Sequence, residues 1–238
     1  MKSAYKFATI LCSVLLPASI ALGQQDYIGH YDVYTGYMYL KSSLIDLGEA
    51  GFHTQVGTNP AKWYSLGFDF STGTGDTTLT PSMLKSSLQQ QIGAQLAPFK
   101  AAGILPASYE PVVPMRSRSQ TFATGPMLNY RRFRAVTLFI HPDLGAIHEE
   151  AIPHPLASDR IATAMVAQLL PSGIKTDWTP FYGIGGGVDV NLTRHVGLRM
   201  QADFVRDHLF SDLLNARNSV RFSVGPSFHM GRNIAAQK

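Results

Sequence analysis

The segment HEEAIPHP, residues 148–155, contains two histidines and two glutamates, which are residue types that bind metal ions. His148, Glu149, Glu150 and His154 could hold a divalent ion if the segment folded back on itself, because imidazole and carboxylate both bind zinc. The spacing differs from that of a helical zinc motif, in which two histidines flank a glutamate within one turn. We therefore expect a solvated acidic rim with ordinary histidines, and the sequence assigns no catalytic, cofactor-binding or metal-binding residue.

A cluster of glycines in the segment 179–191 raises the possibility of a phosphate-binding loop. A dinucleotide fingerprint needs a third glycine three positions after the second, with a strand before it and a helix after it. Counted from Gly183 and Gly185, that position is Val188, and the pattern of another strand follows. The glycines are instead predicted to leave room, inside a narrow barrel, for long side chains on the neighbouring strand.

Alternating apolar and polar residues define the elements that must position these side chains. In HVGLRMQADF, residues 195–204, every even position from Val196 to Phe204 is apolar, whereas Arg199, Gln201 and Asp203 are polar. A transmembrane barrel shows this alternation, with lipid on one side and a polar lumen on the other; a soluble sheet shows the same parity with the faces reversed. The pattern predicts eight strands, over 31–39, 51–58, 63–71, 121–130, 136–146, 179–191, 195–204 and 219–231.

The connections between these strands alternate in length. Three are short, namely NPAK, RRFR and LTRH, and four are long, namely 42–51, 72–119, 147–178 and 206–218. Membrane barrels have short periplasmic turns at one end and longer external loops at the other. The chain is therefore predicted to be all-β, an eight-stranded antiparallel up-and-down transmembrane β-barrel.

Two of the long external loops contain predicted short helices. In 72–119, Thr80 and Pro81 resemble a helix start, and leucine or isoleucine then recurs every four residues until Pro98. In 147–178, Ser158 or Asp159 is expected to cap the segment RIATAMVAQLL. We expect the apolar stripes of these helices to pack on each other or on the barrel rim, while contact with lipid or a partner stays open as an alternative.

The amino terminus and the bulk composition define the compartment. Two lysines, an apolar stretch and a small-residue site ending at Gly23 predict a cleaved signal peptide at 1–23, which leaves 24–238 as a single outer-membrane barrel domain. Removal of Lys2 and Lys6 lowers the formal charge from +4 to +2, so no nucleic-acid partner is expected. The single cysteine, Cys12, lies in the signal peptide, which excludes a disulfide from the exported protein.

Charged residues that face the interior of such a barrel should be paired. Arg199 and Arg221 have four candidate partners, which are Asp32, Asp69, Asp189 and Asp203. His53, Asn129, His141 and His229 are expected to complete the network, because buried charges require hydrogen-bonding partners. An eight-stranded barrel has an interior that side chains can fill, so a plugged lumen without a continuous pore is predicted.

The segments YDVYTGYMYLK, GFHTQV, WYSLGFDFSTGTG, FATGPMLNYRR, YGIGGGVDVNLTRHVGLRMQADFV and RFSVGPSF resemble the small outer-membrane β-barrel domain family, the OmpA/OmpX-like eight-stranded group. The resemblance covers roughly residues 27–232. It implies location in the cell outer membrane, contact with outer-membrane lipid, insertion by the barrel assembly machinery, no cofactor and no particular activity. The group usually ends on an aromatic residue, whereas here GRNIAAQK follows Met230, and Phe228 is the expected substitute.

Enzymatic barrels are the main alternatives within membranes. Lipid A deacylases place a histidine two residues before a nucleophilic serine, but Met230 and Gly231 follow His229 here. Omptin-like proteases use aspartates and a histidine at the outer rim, where Asp207, His208 and Asp212 lie, although that family has ten strands. We therefore predict a non-enzymatic structural or surface-interaction protein, in which the loops 72–119 and 147–178 are the candidate contacts for an external ligand, while the sequence leaves open whether they bind one. The alternatives kept open are a soluble lipocalin-like carrier of a small apolar ligand and, less favoured, an omptin-like protease.

Overall fold

A computed structural model describes residues 25–235, and the predicted signal peptide at 1–23 lies outside the described residues. Eight antiparallel strands pair with their sequence neighbours, and the last strand pairs with the first, so the sheet closes into a barrel. This confirms the predicted fold class. The strands are β1 (Gly29–Ser42), β2 (Leu47–Ala61), β3 (Tyr64–Leu79), β4 (Val113–Tyr130), β5 (Val136–Pro153), β6 (Lys175–Asn191), β7 (Val196–Asp207) and β8 (Arg217–Asn233).

The two faces of the barrel have the polarity of a membrane protein. Leu198, Leu138 and Phe222 point outward and are 37%, 43% and 54% exposed, whereas Arg199 and Arg221 point inward and are 5% and 1% exposed. A soluble carrier of apolar ligands needs the reverse arrangement, with an apolar interior and a polar surface. The lipocalin-like alternative is therefore wrong, and the wall matches a barrel that faces hydrocarbon.

Most strands are longer than the alternation predicted, with 12 residues in β7 and 18 in β4 and β5. The apolar alternation stops where the outward residues become polar, as at His148 and Glu150 in β5, although the hydrogen-bonded ladder continues. The long loops predicted at 72–119 and 147–178 therefore contract to 80–112 and 154–174.

The first connection differs most from the prediction. Residues 42–51 were expected to form a long loop, but Ser42 pairs with Leu47 and only 43–46 separate β1 from β2. Asp46 adopts a left-handed backbone with φ of 48°, which closes this tight turn, and its carboxylate pairs with Lys41. The strict alternation of short and long connections is therefore wrong at this position.

Both predicted helices are present, with different bounds at the first. Pro81–Met83 forms a short 3-10 helix, and α1 (Ser86–Ala101) begins only after an extended Leu84. Tertiary contacts explain the interruption, because Leu84 is buried and the amide of Lys85 donates to the carbonyl of Leu213 at 2.9 Å.

Helix α1 also runs past Pro98, where the sequence pattern predicted its end. Pro98 lies in the last turn, and its carbonyl accepts a hydrogen bond from the amide of Ala102 at 2.9 Å. Because proline has no backbone N–H, the helix loses only one donor there. The second helix, α2 (Arg160–Leu169), is capped by Asp159, whose carboxylate accepts from the amide of Ala162 at 2.9 Å, as predicted. Within residues 25–235, no helix is both long and apolar enough to cross a membrane.

An apolar cluster closes the end of the barrel that carries the long loops. Residues from the barrel wall, such as Phe181 and Ile147, pack with Leu84 from the second long loop and with the β7–β8 connection. We call this cluster the apolar plug, and its buried members are Ile45, Leu47, Leu84, Ala123, Ile147, Ala151, Phe181, Val205, Leu209, Phe210 and Leu214. The apolar stripe of α1 packs against it through Leu88 and Ile92, as expected for that helix.

Candidate functional site

The barrel interior contains many buried ion pairs, and Arg221 lies at the centre of one connected group. Arg221 is 1% exposed and donates from Nε to Asp203 at 2.8 Å and from Nη1 to Asp69 at 3.1 Å. Asp69 also accepts from Nε2 of His53 at 2.5 Å, and Nδ1 of His53 lies 2.9 Å from Ser223. Each predicted member of this group is therefore inside the barrel and bonded to another member.

His141 joins this centre by contacting two carboxylates at once. Its Nδ1 lies 2.8 Å from Asp143 and its Nε2 lies 3.1 Å from Asp203. A ring protonated on both nitrogens would face a carboxylate at each, because ionised carboxylates only accept hydrogen bonds.

Arg199 occupies a second position in the interior, held by charge and by aromatic rings. Its Nη2 donates to Asp189 at 2.9 Å and its Nη1 donates to Gln55 at 3.1 Å. The guanidinium carbon lies 5.5 Å from the ring centre of Tyr34 and 5.0 Å from that of Phe139. A desolvated guanidinium over an aromatic face gains on the order of 2 kcal/mol, which adds to the ion pair.

The end of the barrel with the short turns is closed by a further polar group. His229 contacts Asp32 at 2.6 Å, and Asn59 donates to the same carboxylate at 2.6 Å. Arg131, from the turn that follows β4, lies 3.9 Å from Asp32, and Asn129 donates to Ser65 at 2.5 Å. All eight interior residues predicted to surround Arg199 and Arg221 are thus part of the observed network.

One buried ion group was not predicted from the sequence. Arg217, 2% exposed, donates to Glu149 at 2.6 Å and to Asp207 at 3.1 Å. The hydroxyl of Ser117 lies 2.7 Å from Glu49 and 3.0 Å from Glu149, which connects the two glutamates. The signal that could have found this group is parity, because Glu149 and Arg217 continue the inward registers of their strands.

The glycines of β6 make the room that the interior pairs need. Gly185 is opposite Asp203 in the ladder, and a Cβ there would lie 2.1 Å from the Asp203 carboxylate and 2.6 Å from Nε2 of His141. A Cβ at Gly187 would lie 2.7 Å from the ring of Phe139, the residue that stacks on Arg199. The prediction that these glycines serve packing is therefore confirmed.

The side chains of the HEEAIPHP segment are separated by the strand that contains them. Glu149 points inward and is 2% exposed, so the expectation that it belongs to a solvated rim is wrong. His148 and Glu150 point outward, where His148 packs on Trp178 at 4.7 Å between ring centres and Glu150 lies 3.8 Å from Arg118. His154 is exposed beyond the end of β5, so the four residues do not converge on one point.

The rim residues considered for protease chemistry are also apart. Asp207 is 1% exposed and paired with Arg217, whereas Asp212 is exposed and pairs with Lys175 at 2.5 Å. His208 is exposed and is not among the partners of either aspartate. Within residues 25–235, the one group of ligand atoms close enough for a metal is His141 with Asp143 and Asp203, in which the ring nitrogens lie 2.8 and 3.1 Å from the two carboxylates.

A polar contact ties the two long loops together outside the barrel. The hydroxyl of Tyr109 donates to the Asp159 carboxylate at 2.7 and 2.8 Å, and the same carboxylate caps α2. Burial and this hydrogen bond to a negative charge raise the pKa of Tyr109 to about 12. The loops 80–112 and 154–174 therefore form one joined structure, which we call the external cap.

Comparisons with known proteins place the fold. No family model matches the sequence, and no curated protein matches it. Among solved structures, neisserial surface protein A gives a TM-score of 0.53 at 11% identity, covering 84% of this chain and 97% of that one. Ail, the attachment invasion locus protein of Yersinia pestis, solved with the heparin analogue sucrose octasulfate, gives 0.47 at 12% identity over 84% and 98%. OprG from Pseudomonas aeruginosa gives 0.46 at 11% identity over 88% and 99%. The chain has the fold of the small outer-membrane β-barrels.

Proposed function

We propose that this eight-stranded outer-membrane barrel is a non-enzymatic integral protein of the outer membrane that presents its external cap at the cell surface. The observation that carries the proposal is the inverted polarity of the wall, with apolar side chains outside and ion pairs inside. Only a closed barrel or a helix can satisfy its backbone hydrogen bonds in hydrocarbon, and this chain closes its sheet completely.

The distribution of outward charges supports this orientation in the membrane. Lys41, Asp76, Arg118, Glu150 and Arg206 point outward, and all lie near the ends of their strands at the long loops. Between these charges and Arg232, which lies at the short-turn end of β8, the outward strand residues are uncharged. The short-turn end also carries the exposed aromatic rings of Trp63 and Tyr130. A charge-free belt with aromatic residues at its border is the surface expected in contact with lipid.

The absence of catalysis is part of the proposal and is supported by the pairing of the interior groups. The buried residues of catalytic type are engaged with one another, as in the Arg217 pair with Asp207 and the His229 pair with Asp32. The rim residues that could act as acid and base are separated. The role that remains is structural, or surface interaction through the loops 80–112 and 154–174.

Export and insertion complete the proposal. Residues 1–23 would be removed during export, and the barrel assembly machinery would insert the chain with Phe228 as the aromatic residue of the assembly signal. Phe228 faces outward on β8, where a partner can reach it, and is 36% exposed. Amino-terminal sequencing of the membrane-bound protein should begin at Gln24.

Surface proteolysis of intact cells tests the proposed orientation. We expect cleavage within 80–112 or 154–174, which leaves a protected barrel that migrates faster on gels before boiling than after. A protease site inserted in the short turn 192–195 is the matched control, and it should be cut only after the outer membrane is permeabilised. Recovery of the protein in the soluble periplasmic fraction, or cutting at 192–195 in intact cells, would contradict the proposal.

A further inference from the structure

An apolar cavity lies between the external cap and the barrel rim. Its volume is about 160 Å³, and its walls come from α1, α2, the ends of the strands and the β7–β8 connection. Leu88 and Ile92 of α1 face Met165 and Val166 of α2 across it. Most of the other lining residues are aliphatic, methionine or proline, including Leu79, Pro81, Leu84, Val113, Met115 and Leu213.

The chemistry of the walls selects a neutral ligand. The polar residues that line the cavity are Thr80, Gln91, Gln95 and Gln168, and no Asp, Glu, Lys, Arg or His is among the residues described around it. A charged ligand would lose its hydration here without gaining an opposite charge. Water inside the cavity would find few hydrogen-bonding partners along its mainly apolar walls.

The size of the cavity selects a compact ligand. An engineered apolar cavity of about 150 Å³ binds benzene or xenon, and the cavity here is of similar volume and lining. A drug-sized molecule needs a pocket of at least about 300 Å³. A single six-membered ring with a small substituent therefore fits within this volume, whereas a long acyl chain would extend out of it.

The walls are held in place from several directions, so the cavity is already formed. Lys85 donates from its amide to Leu213 at 2.9 Å and from its side chain to Ser211, which fixes the start of α1 on the β7–β8 connection. Asp159 caps α2 and binds Tyr109, which fixes the other wall. Pro81 and Pro111 further restrict the loop backbone. Preformed walls reduce the ordering cost of binding.

We propose that this cavity is a binding site for a small neutral aromatic hydrocarbon of benzene or toluene size, taken up from the external side. The site is independent of the ion network inside the barrel, from which the apolar plug separates it. It also adds a ligand class that the proposed structural or surface role does not require.

Methyl NMR of the full chain with labelled methionines, in amphipol, tests the site with toluene as the probe. Met115 and Met165 line the cavity, whereas Met230 faces outward at 46% exposure and Met38 is buried in the barrel at 1%. We expect saturable shifts at Met115 and Met165 as toluene is added. Met230 should move only in proportion to toluene partitioning, and Met38 should not move.

Filling the cavity gives the decisive comparison. Val166→Phe places a ring in the cavity and should weaken toluene binding by at least about tenfold. Ala164→Phe adds the same ring at an exposed position of α2 and should leave binding unchanged. If Val166→Phe does not fold, as judged by heat-modifiable migration, Leu88→Phe on the facing helix replaces it.

Three results would overturn the assignment. Shifts at Met115 and Met165 that do not saturate, or that merely follow Met230, would show partitioning without a site. Equal binding by the Val166→Phe and Ala164→Phe variants would place the ligand elsewhere. A saturable response to octanoate with none to toluene would exclude a compact aromatic ligand.

Discussion

Arg221 and Asp203 lie directly opposite each other on β8 and β7, and the guanidinium Nε donates to the carboxylate at 2.8 Å. Both side chains are 1% exposed. The ladder therefore sets the pair in register, while Asp69 on β3 reaches the same guanidinium across the lumen. Arg221 thus connects β7 and β8 to β3 on the other side of the lumen. We expect this connection to stabilise the folded barrel.

Replacing Arg221 by leucine should destabilise the barrel strongly. The substitution leaves Asp69 and Asp203 buried without their cation, and removal of one partner from a buried pair costs about 3–5 kcal/mol. Equilibrium unfolding in urea from lipid vesicles measures the loss. Arg116→Ala is the matched control, because its pair with Asp76 at 3.2 Å is exposed and should contribute about 0–1 kcal/mol. Equal losses for the two variants would contradict a structural role for the interior network.

Gly185→Ala should destabilise the barrel, although the change adds only one methyl group. That group would meet Asp203 and His141 at 2.1 and 2.6 Å, and both are held by ion pairs, so overpacking should cost about 1–3 kcal/mol. Gly67→Ala, also in the wall, is the control, since the nearest atom to its Cβ is 3.4 Å away. The same unfolding assay compares them, and a neutral Gly185→Ala would show that the pair relaxes freely.

The refolded protein should show no single-channel conductance above the baseline of the bare bilayer. Ion pairs and the apolar plug fill the middle and the external end of the interior, and a cavity beside Asp69 and Arg199 measures only about 30 Å³, room for one or two waters. Planar-bilayer recording tests this, with heat-unfolded protein as the control for leakage. Discrete steps that appear only with folded protein would mean that a continuous pore exists.

The contact between Tyr109 and Asp159 predicts a phenol that titrates late. The folded-state pKa is about 12 against an ordinary 10.0, so the contact stabilises the fold fully below pH 10 and loses this effect as the pH rises towards 12. The ultraviolet difference titration between the wild type and Tyr109→Phe should isolate this phenol. Asp159→Asn keeps a side chain able to cap α2 but removes the charge, so the pKa should fall part of the way towards 10, with the effect of burial left in place. An unchanged pKa in that variant would exclude Asp159 as the cause.

Phe228→Ala should reduce insertion into the outer membrane. Phe228 is the outward aromatic residue nearest the carboxyl terminus of β8, where the assembly signal of this group is expected. The fraction of heat-modifiable protein in the membranes of expressing cells measures insertion. Phe222→Ala removes another outward ring of the same strand, 54% exposed, and should have a smaller effect. If both variants insert equally well, Phe228 is not part of the signal.

The amino-acid pattern was sufficient to identify the wall of the barrel and the direction of its side chains. Arg199 alternates with Leu198 on β7, and Arg221 alternates with Phe222 on β8. This period of two belongs to the single strand, so it is visible in the sequence without any partner strand. The same parity predicted that Gly183, Gly185 and Gly187 of β6 point inward and that His141 and Asp203 share the interior. The cap of α2 at Asp159 was equally local, because it depends on residues within one turn.

Residues at the strand ends were harder to predict because both faces there are polar. Glu149 lies between outward His148 and Glu150, so the alternation disappears although pairing with β4 and β6 continues. Arg217 and Asp207 were assigned to a loop for the same reason. Hydrogen bonds to neighbouring strands, which come from distant parts of the sequence, extend these strands beyond the apolar belt.

Sequence alone therefore determined which residues share a face along the apolar part of each strand, including Arg199 and Arg221, since this follows from local periodicity. The tertiary structure decided which charges meet, as with Arg217 and Glu149, and where α1 begins after Leu84 packs into the apolar plug. It also decided that two loop helices enclose a cavity. These features depend on barrel closure, which brings side chains together across the lumen at distances that no spacing along the chain specifies.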